Sequence, residues 1–258
     1  MPALNSFRDT LNRYFPNAEL SRVLVKKFLV RVNTEYRLPA KEIVHADSVC
    51  SDDLNNVQYP PEAREMLGPF TLGGLDGFPF AGVTGMGAFA HHVPAGGGVL
   101  IFYGPHIGIT KTGVLGKVLR PGQPEASSCC GAAQAALQKL EAGHIISCDL
   151  TSLDYQQNTI EQIFLQRRHE IVGIDVPPIV AATRAMFAAT RERMEILIKK
   201  TDFHGARHVF TAGGIVINSD AAGGQDGESY IQPLDFCHWN PKTYKRQDIL
   251  RQVQATVV

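Results

Sequence analysis

Three side chains of metal-ligating type sit where an α/β fold concentrates its chemistry. Cys50 closes the apolar run "KEIVHADSV", His106 follows the apolar run "VLIFYG", and Cys130 opens the helical stretch "GAAQAALQKL". Two thiolates and one imidazole suit a borderline-soft ion such as zinc (Zn2+) and leave a fourth tetrahedral position open, which is the arrangement of a catalytic site. Spacing alone does not prescribe the trio, because the three positions are far apart and no C-x-x-C pair is present. Each residue also has a plain reading. A buried cysteine is usually a small hydrophobe, and a histidine at a strand end is more often hydrogen-bonded structure than ligand. The three act together only if the fold carries them to one rim.

The elements expected to do this can be read along the chain. Residues 3–35 predict two helices, with Leu4, Phe7, Leu11 and Tyr14 at helical spacing and Pro16-Asn17 as punctuation. Residues 41–49 predict a strand that ends in the turn-forming "CSDDLNN". Residues 67–98 are rich in glycine yet carry Phe70, Phe78, Phe80 and Phe89, so they are expected to form an ordered loop region with close backbone approaches. Residues 99–104 and 208–218 predict buried strands. A further strand is expected in "GESYIQPLDFCHW", at a sheet edge because it contains Pro233. Helices are expected at 126–143, capped by Ser127 or Ser128, at 155–169, at 178–200 and in a polar tail. Strands alternating with long helices indicate an α/β fold, with a largely parallel central sheet flanked by helices. With no repeat and no linker, residues 1–258 are expected to form one domain, with 1–38 as an N-terminal helical arm.

Parallel strands present their carboxyl ends to a single crevice, so Cys50 and His106 are expected to share a rim. A helix N-terminus at that rim favours a thiolate at Cys130. Composition narrows the partners. The 258 residues carry 25 Lys and Arg against 25 Asp and Glu, for a formal net charge of +0, so no basic excess points to nucleic acid or a lipid surface. No apolar run is long enough for a membrane span. The five cysteines (Cys50, Cys129, Cys130, Cys148 and Cys237) are odd in number and include an adjacent pair, which suits a reducing compartment better than a disulfide framework. The location expected is cytoplasmic, or a plastid if a transit segment has been trimmed. Two other patterns carry less. "GMGAFA" (85–90) matches a dinucleotide fingerprint but has no strand before it. His204 and His208 are four apart, but the intervening Gly205 argues against a shared helix face.

The segments "CSDD" (50–53), "GGLDGFPFAGVTGMGAFAHHVP" (73–94), "YGPHIGI" (103–109) and "SSCCGAA" (127–133) resemble the limiting-CO2-inducible protein B family. That family is related to β-type carbonic anhydrases and is sometimes called θ-type. The resemblance implies a β-carbonic-anhydrase-like fold and a zinc site held by Cys50, His106 and Cys130. Cys130 rather than Cys129 is chosen because it directly precedes Gly131. Asp52 matches the aspartate two residues after the first cysteine. The arginine that follows this aspartate in β-type enzymes is replaced by Leu54, and Arg64 is the nearest downstream arginine for the role. The resemblance also implies a homodimer, with the N-terminal helices as packing arms.

The implied reaction is the reversible hydration of carbon dioxide to bicarbonate. Zinc brings bound water toward neutral pKa, and Asp52 would orient it. Phe78, Phe80 and Phe89 are candidates for the dry wall that a small apolar substrate needs. His91 and His92 are candidates for moving the proton. Two rival readings stand beside this one: a zinc-binding member without activity, acting in a carbon-concentrating assembly, and a metal-free cysteine hydrolase using Cys50, His106 and Asp52.

Overall fold

The computed structural model describes residues 6–54, 57–145, 150–203, 205–222 and 227–258. Cys148 and His204 lie outside the described residues. Helix α1 (Phe7–Tyr14) is capped by Ser6, whose side chain accepts from the Asp9 N–H. The two-residue strand β1 (Glu19–Leu20) leads into α2 (Ser21–Tyr36). Then come β2 (Ile43–Ser48), β3 (Leu67–Thr71), α3 (Gly82–Ala90), β4 (Gly98–Tyr103) and β5 (His106–Ile109). A two-stranded ribbon of β6 (Lys117–Val118) and β7 (Ser127–Ser128) precedes α4 (Gly131–Glu141), α5 (Tyr155–Gln166), α6 (Arg168–Ile171) and α7 (Pro178–Lys200). The long strands β8 (His208–Ser219) and β9 (Ser229–Trp239), then β10 (Arg246–Asp248) and α8 (Leu250–Gln254), complete the chain.

The main sheet runs β1-β9-β8-β4-β2-β3, with β5 added on β8 and β10 on β9. Pairing is parallel among β3, β2, β4, β8 and β5, and antiparallel where β9 meets β8, β1 and β10. Strand β4 is buried at every position because helices cover both faces of the sheet, which is why it reads as an unbroken apolar run. One face packs Leu11 and Phe15, Met86 and Phe89 of α3, and Phe187 and Leu197 of α7. The other packs Leu24, Phe28 and Val32 of α2 with Val253 of α8. The N-terminal helices α1 and α2 both contribute side chains to the core of their own chain.

Several expectations are corrected. The glycine-rich stretch contains a strand and a helix. Helix α3 holds Gly82, Gly85 and Gly87, each a poor helix former, but burial of Met86 and Phe89 against the sheet overrides local propensity. Strand β9 is not an edge. It lies between β8 and the short β1 and β10, and Pro233 is tolerated where the register shifts between Gly213 and Gly214. The tail begins with β10 before its helix, and α4 starts at Gly131 with Cys130 as its N-cap, with Ser127 and Ser128 in β7.

The break between β4 and β5 matters most for the site. At Gly104-Pro105 the chain leaves the ladder, then rejoins the same β8 further along, pairing His106 with Val216. His106 is thereby delivered one step beyond the carboxyl end of β4, close to where β2 ends.

Candidate metal centre

Cys50 follows the carboxyl end of β2, and a short 3₁₀ turn at Leu75–Gly77 packs beside it. The Asp76 N–H donates to Cys50 Sγ at 3.1 Å, and Asp76 Oδ1 lies 3.5 Å from the His106 N–H. This turn is pressed against main chain. A Cβ on Gly77 (φ +74) would collide with the Gly104 carbonyl, and one on Gly104 (φ +148) with the Gly214 carbonyl. Ser48 Oγ donates to Gly77 O at 3.0 Å, and Gln156 Oε1 of α5 accepts from the Leu75 N–H at 2.8 Å. Ser48 of β2, Gly104 just past β4 and Gln156 of α5 thus fix one small turn.

His106 is 1% exposed. Its Nδ1 lies 2.9 Å from Asn218 Oδ1, while Asn218 Nδ2 donates to Leu54 O at 2.9 Å. The Leu54 carbonyl orients the amide so that its oxygen faces the imidazole. Nδ1 is then the donor, and once the ring is neutral Nε2 carries the lone pair. That Nε2 is buried and has no hydrogen-bond partner. Cys50 Sγ and Cys130 Sγ stand 3.9 Å apart, and one ligand atom each from Cys50, His106 and Cys130 lie within 4.8 Å of one another. Two Zn–S bonds of about 2.3 Å at a tetrahedral angle would put the sulfurs about 3.8 Å apart, so the spacing fits zinc.

The charges fit as well. The Cys130 thiol and then the His106 ring hold Cys50 down to about 4, against the effect of burial. Cys130 is correspondingly pushed well above the usual thiol value, first by its bond to Cys50. The pair shares one negative charge, and Cys130 occupies the N-cap of α4. Burial opposes a charge on His106, yet the sulfurs of Cys129 and Cys50 hold its pKa well above the usual imidazole value. The pocket is therefore arranged for positive charge among sulfurs, which a dication supplies while displacing the protons.

A second grouping of Asp52, His106 and Cys129 is also compact. Cys129 Sγ approaches His106 on the Nδ1 side, at 3.5 Å, where Asn218 already bonds. Cys129 packs with Leu54 and Val118. An ion held through this sulfur and Nδ1 would break the His106–Asn218 bond, so the Cys50, His106 and Cys130 set is the better cradle.

Asp52 Oδ2 stands 4.0 Å from His106 Nε2. The guanidinium that grips it belongs to Arg120. One terminal nitrogen lies 2.9 and 3.0 Å from the two Asp52 oxygens, and Nε lies 3.0 Å from Asp53 Oδ1. The other terminal nitrogen donates to Ser127 Oγ at 2.7 Å. Arg64, the partner expected from sequence, is exposed on the 3₁₀ turn Pro61–Glu65 and is not the arginine on Asp52. Burial and then the Asp53 carboxyl pull Asp52 up, against the pull of His106, the Leu54 N–H and Arg120.

The other expected site residues separate. Phe78 packs against the cluster that contains Cys50 and Cys130, and Phe80 contacts Phe78 and Tyr155. Phe89 is not in that cluster; it is buried in the core under α3, beside Phe70. His91 and His92 are exposed beyond the end of α3, with the His92 ring stacked on Phe70. Sequence reasoning missed Arg120, Asn218 and Asp76. Asn218 had a signal, as a polar residue closing a buried strand, and Asp76 sits inside the distinctive "GGLDG".

A cleft of about 600 Å³ opens at this rim, lined by Cys50, Asp52, Asp53, Asp47, Tyr59 and Thr71 among others. Asn218→Ala is expected to weaken zinc binding by about 10–100-fold, the usual loss for a residue that orients a ligating imidazole. Competition with a chromophoric chelator measures it, and unchanged affinity would show that the Asn218 contact does not govern the ring.

No helix among the described residues is long and apolar enough to cross a membrane. A family model described as limiting CO2-inducible proteins B/C β carbonic anhydrases matches residues 23–240. Among solved structures, the chain is similar to PtLCIB4, a homolog of the limiting CO2-inducible protein LCIB. The identity is 25% over 93% of this chain and 98% of that chain, with a TM-score of 0.75. A point mutant of PtLCIB4 matches at 25% identity, 93% and 97% coverage, and a TM-score of 0.77. LCIB itself is 19% identical over 93% and 97% of the two chains, with a TM-score of 0.70, a likeness of fold alone. No curated protein matches the chain significantly.

Proposed function

Because the chain belongs to the limiting CO2-inducible protein B/C family of β carbonic anhydrases, we propose that it is a zinc-dependent carbonic anhydrase, interconverting carbon dioxide and bicarbonate. The observation that carries this reading is the unpartnered, buried Nε2 of His106 facing the Cys50 and Cys130 sulfurs, with the Arg120-clamped Asp52 carboxylate 4.0 Å away. Cys50, His106 and Cys130 would hold the ion. Zinc, when bound, supplies Lewis acidity and a nucleophilic water near neutral pH.

The chain's own residues do the rest. Asp76 N–H stabilises charge on Cys50, and Asn218 fixes the imidazole. Arg120 spreads two hydrogen bonds over both Asp52 oxygens, so the carboxylate stays in the cleft as a fixed acceptor. From there it can orient the attacking water toward a small apolar substrate in the cleft, whose lining includes Val49 and Val57. Leu54, which departs from the β-type pattern, argued for an inactive zinc-binding member. Arg120 supplies a guanidinium to Asp52 from another loop, which supports the catalytic reading over the inactive one. A homodimer and a reducing compartment, cytoplasmic or plastid, complete the proposal.

The test joins metal analysis to stopped-flow hydration. About one zinc per chain, with hydration lost on chelation and restored by zinc, is expected. A metal-free chain that hydrolyses activated esters would favour the cysteine hydrolase, and a zinc-loaded chain without hydration would favour the binding role.

A further inference from the structure

Hydration releases a proton for every bicarbonate formed, and that proton must leave the site. The expected carriers, His91 and His92, lie beyond the end of α3, where His92 stacks on Phe70. The cleft itself holds another group. Asp47 of β2 and Tyr59 line the same cavity as Cys50 and Asp52, and Tyr59 Oη donates to Asp47 Oδ1.

We propose that Asp47, held by Tyr59, receives the proton released during hydration and passes it to solvent bases entering the cleft. This rests on the carbonic anhydrase reading. In the step, the oxygen of water bonds to the carbon of carbon dioxide and an O–H bond breaks. The proton ends on an Asp47 oxygen and then on buffer, and no electrons change hands.

Three observations support the assignment. First, the other cleft carboxylates are committed, since Arg120 grips both Asp52 and Asp53. Asp47 has no ion pair among the described residues, and its described partner is a neutral phenol. Second, the surrounding groups keep their protonation states near neutrality. Tyr59 is pushed well above the usual phenol value, first by burial, so it remains a donor. His45, whose ring lies 5.4 Å from that of Tyr59, is lowered to about 4 by burial and stays uncharged. Third, burial raises Asp47 to about 6, with Tyr59 pulling the other way. A carboxylate in that range accepts a proton near neutrality and releases it readily.

Asp47→Asn separates the relay from a structural role. In weak buffer, kcat is expected to fall by ~100-fold, the low end of what a positioned proton-transfer group contributes. The change in kcat/KM should stay within about twofold, because proton export follows the bond-forming step. Imidazole-type buffers should restore kcat. Infrared titration gives a readout independent of turnover. A carboxyl band titrating near 6 in the wild type should vanish in Asp47→Asn, and it should titrate higher in Tyr59→Phe, where the lowering hydrogen bond is gone. Equal losses in kcat and kcat/KM, no rescue by buffer, or a band unaffected by Asp47→Asn would overturn the relay alone. A wild type that hydrates no carbon dioxide would overturn the parent reading and the relay with it.

Discussion

Cys130→Ser protein will purify without stoichiometric zinc and hydrate carbon dioxide no faster than buffer. On the zinc reading, the trio would supply three ligands to an ion that needs three protein donors and one open position. A serine hydroxyl in place of the thiolate at the α4 N-cap leaves only Cys50 and His106 and removes a charge that balances the dication. Since residues that merely orient a ligand are worth about 10–100-fold in affinity, loss of a ligand costs more. Cys129→Ser, one position away, should keep its zinc and most of its activity, because that sulfur faces Nδ1 across the Asn218 contact. Elemental analysis and stopped-flow hydration on the two variants decide the matter. The reverse pattern would move the ion to the Asp52, His106 and Cys129 grouping and end the assignment.

Arg120→Ala should retain zinc yet lose about 10²–10³-fold in kcat/KM, the scale seen when one preorganised electrostatic partner is removed. Without the guanidinium, the effects of burial and of Asp53 on Asp52 are left less opposed. The carboxyl then either takes a proton or turns to occupy the fourth position of the ion, and both outcomes remove the fixed acceptor. Arg120→Lys should rescue little. One ammonium cannot reproduce contacts to Asp52, Asp53 and Ser127 made by a planar fork. Metal content with steady-state kinetics tests this, and a variant within about threefold of wild type would reduce Arg120 to a surface clip.

What the chain disclosed in advance follows from how its signals arise. Strands β2, β4 and β8 are covered on both faces, so their apolar runs stood out, and α7 announced itself through Pro177-Pro178 and a long amphipathic stretch. Cys50, His106 and Cys130 were readable because each terminates or opens such an element. Helix α3 was hidden, because packing rather than propensity makes it helical. Pro233 misled for a related reason: a register shift, which no local rule displays, lets proline into an interior strand. Arg120 was out of reach of any spacing rule. It lies in the irregular "LRPGQP" between β6 and β7, and only the ribbon's closure brings it to Asp52.

The close backbone approaches at Gly77 and Gly104 bear on when the protein becomes competent. They join the turn beside Cys50 to the strand end before His106 through peptide groups, and neither contact involves a ligand side chain. Backbone contacts of this kind would hold both ends of the cage in place whether or not an ion is bound, unlike small zinc modules that are shapeless until the ion arrives. On the zinc reading, synthesis and charging would then be separate events. A cell could hold a reserve of finished but inert copies, with ion supply rather than translation setting how many are at work.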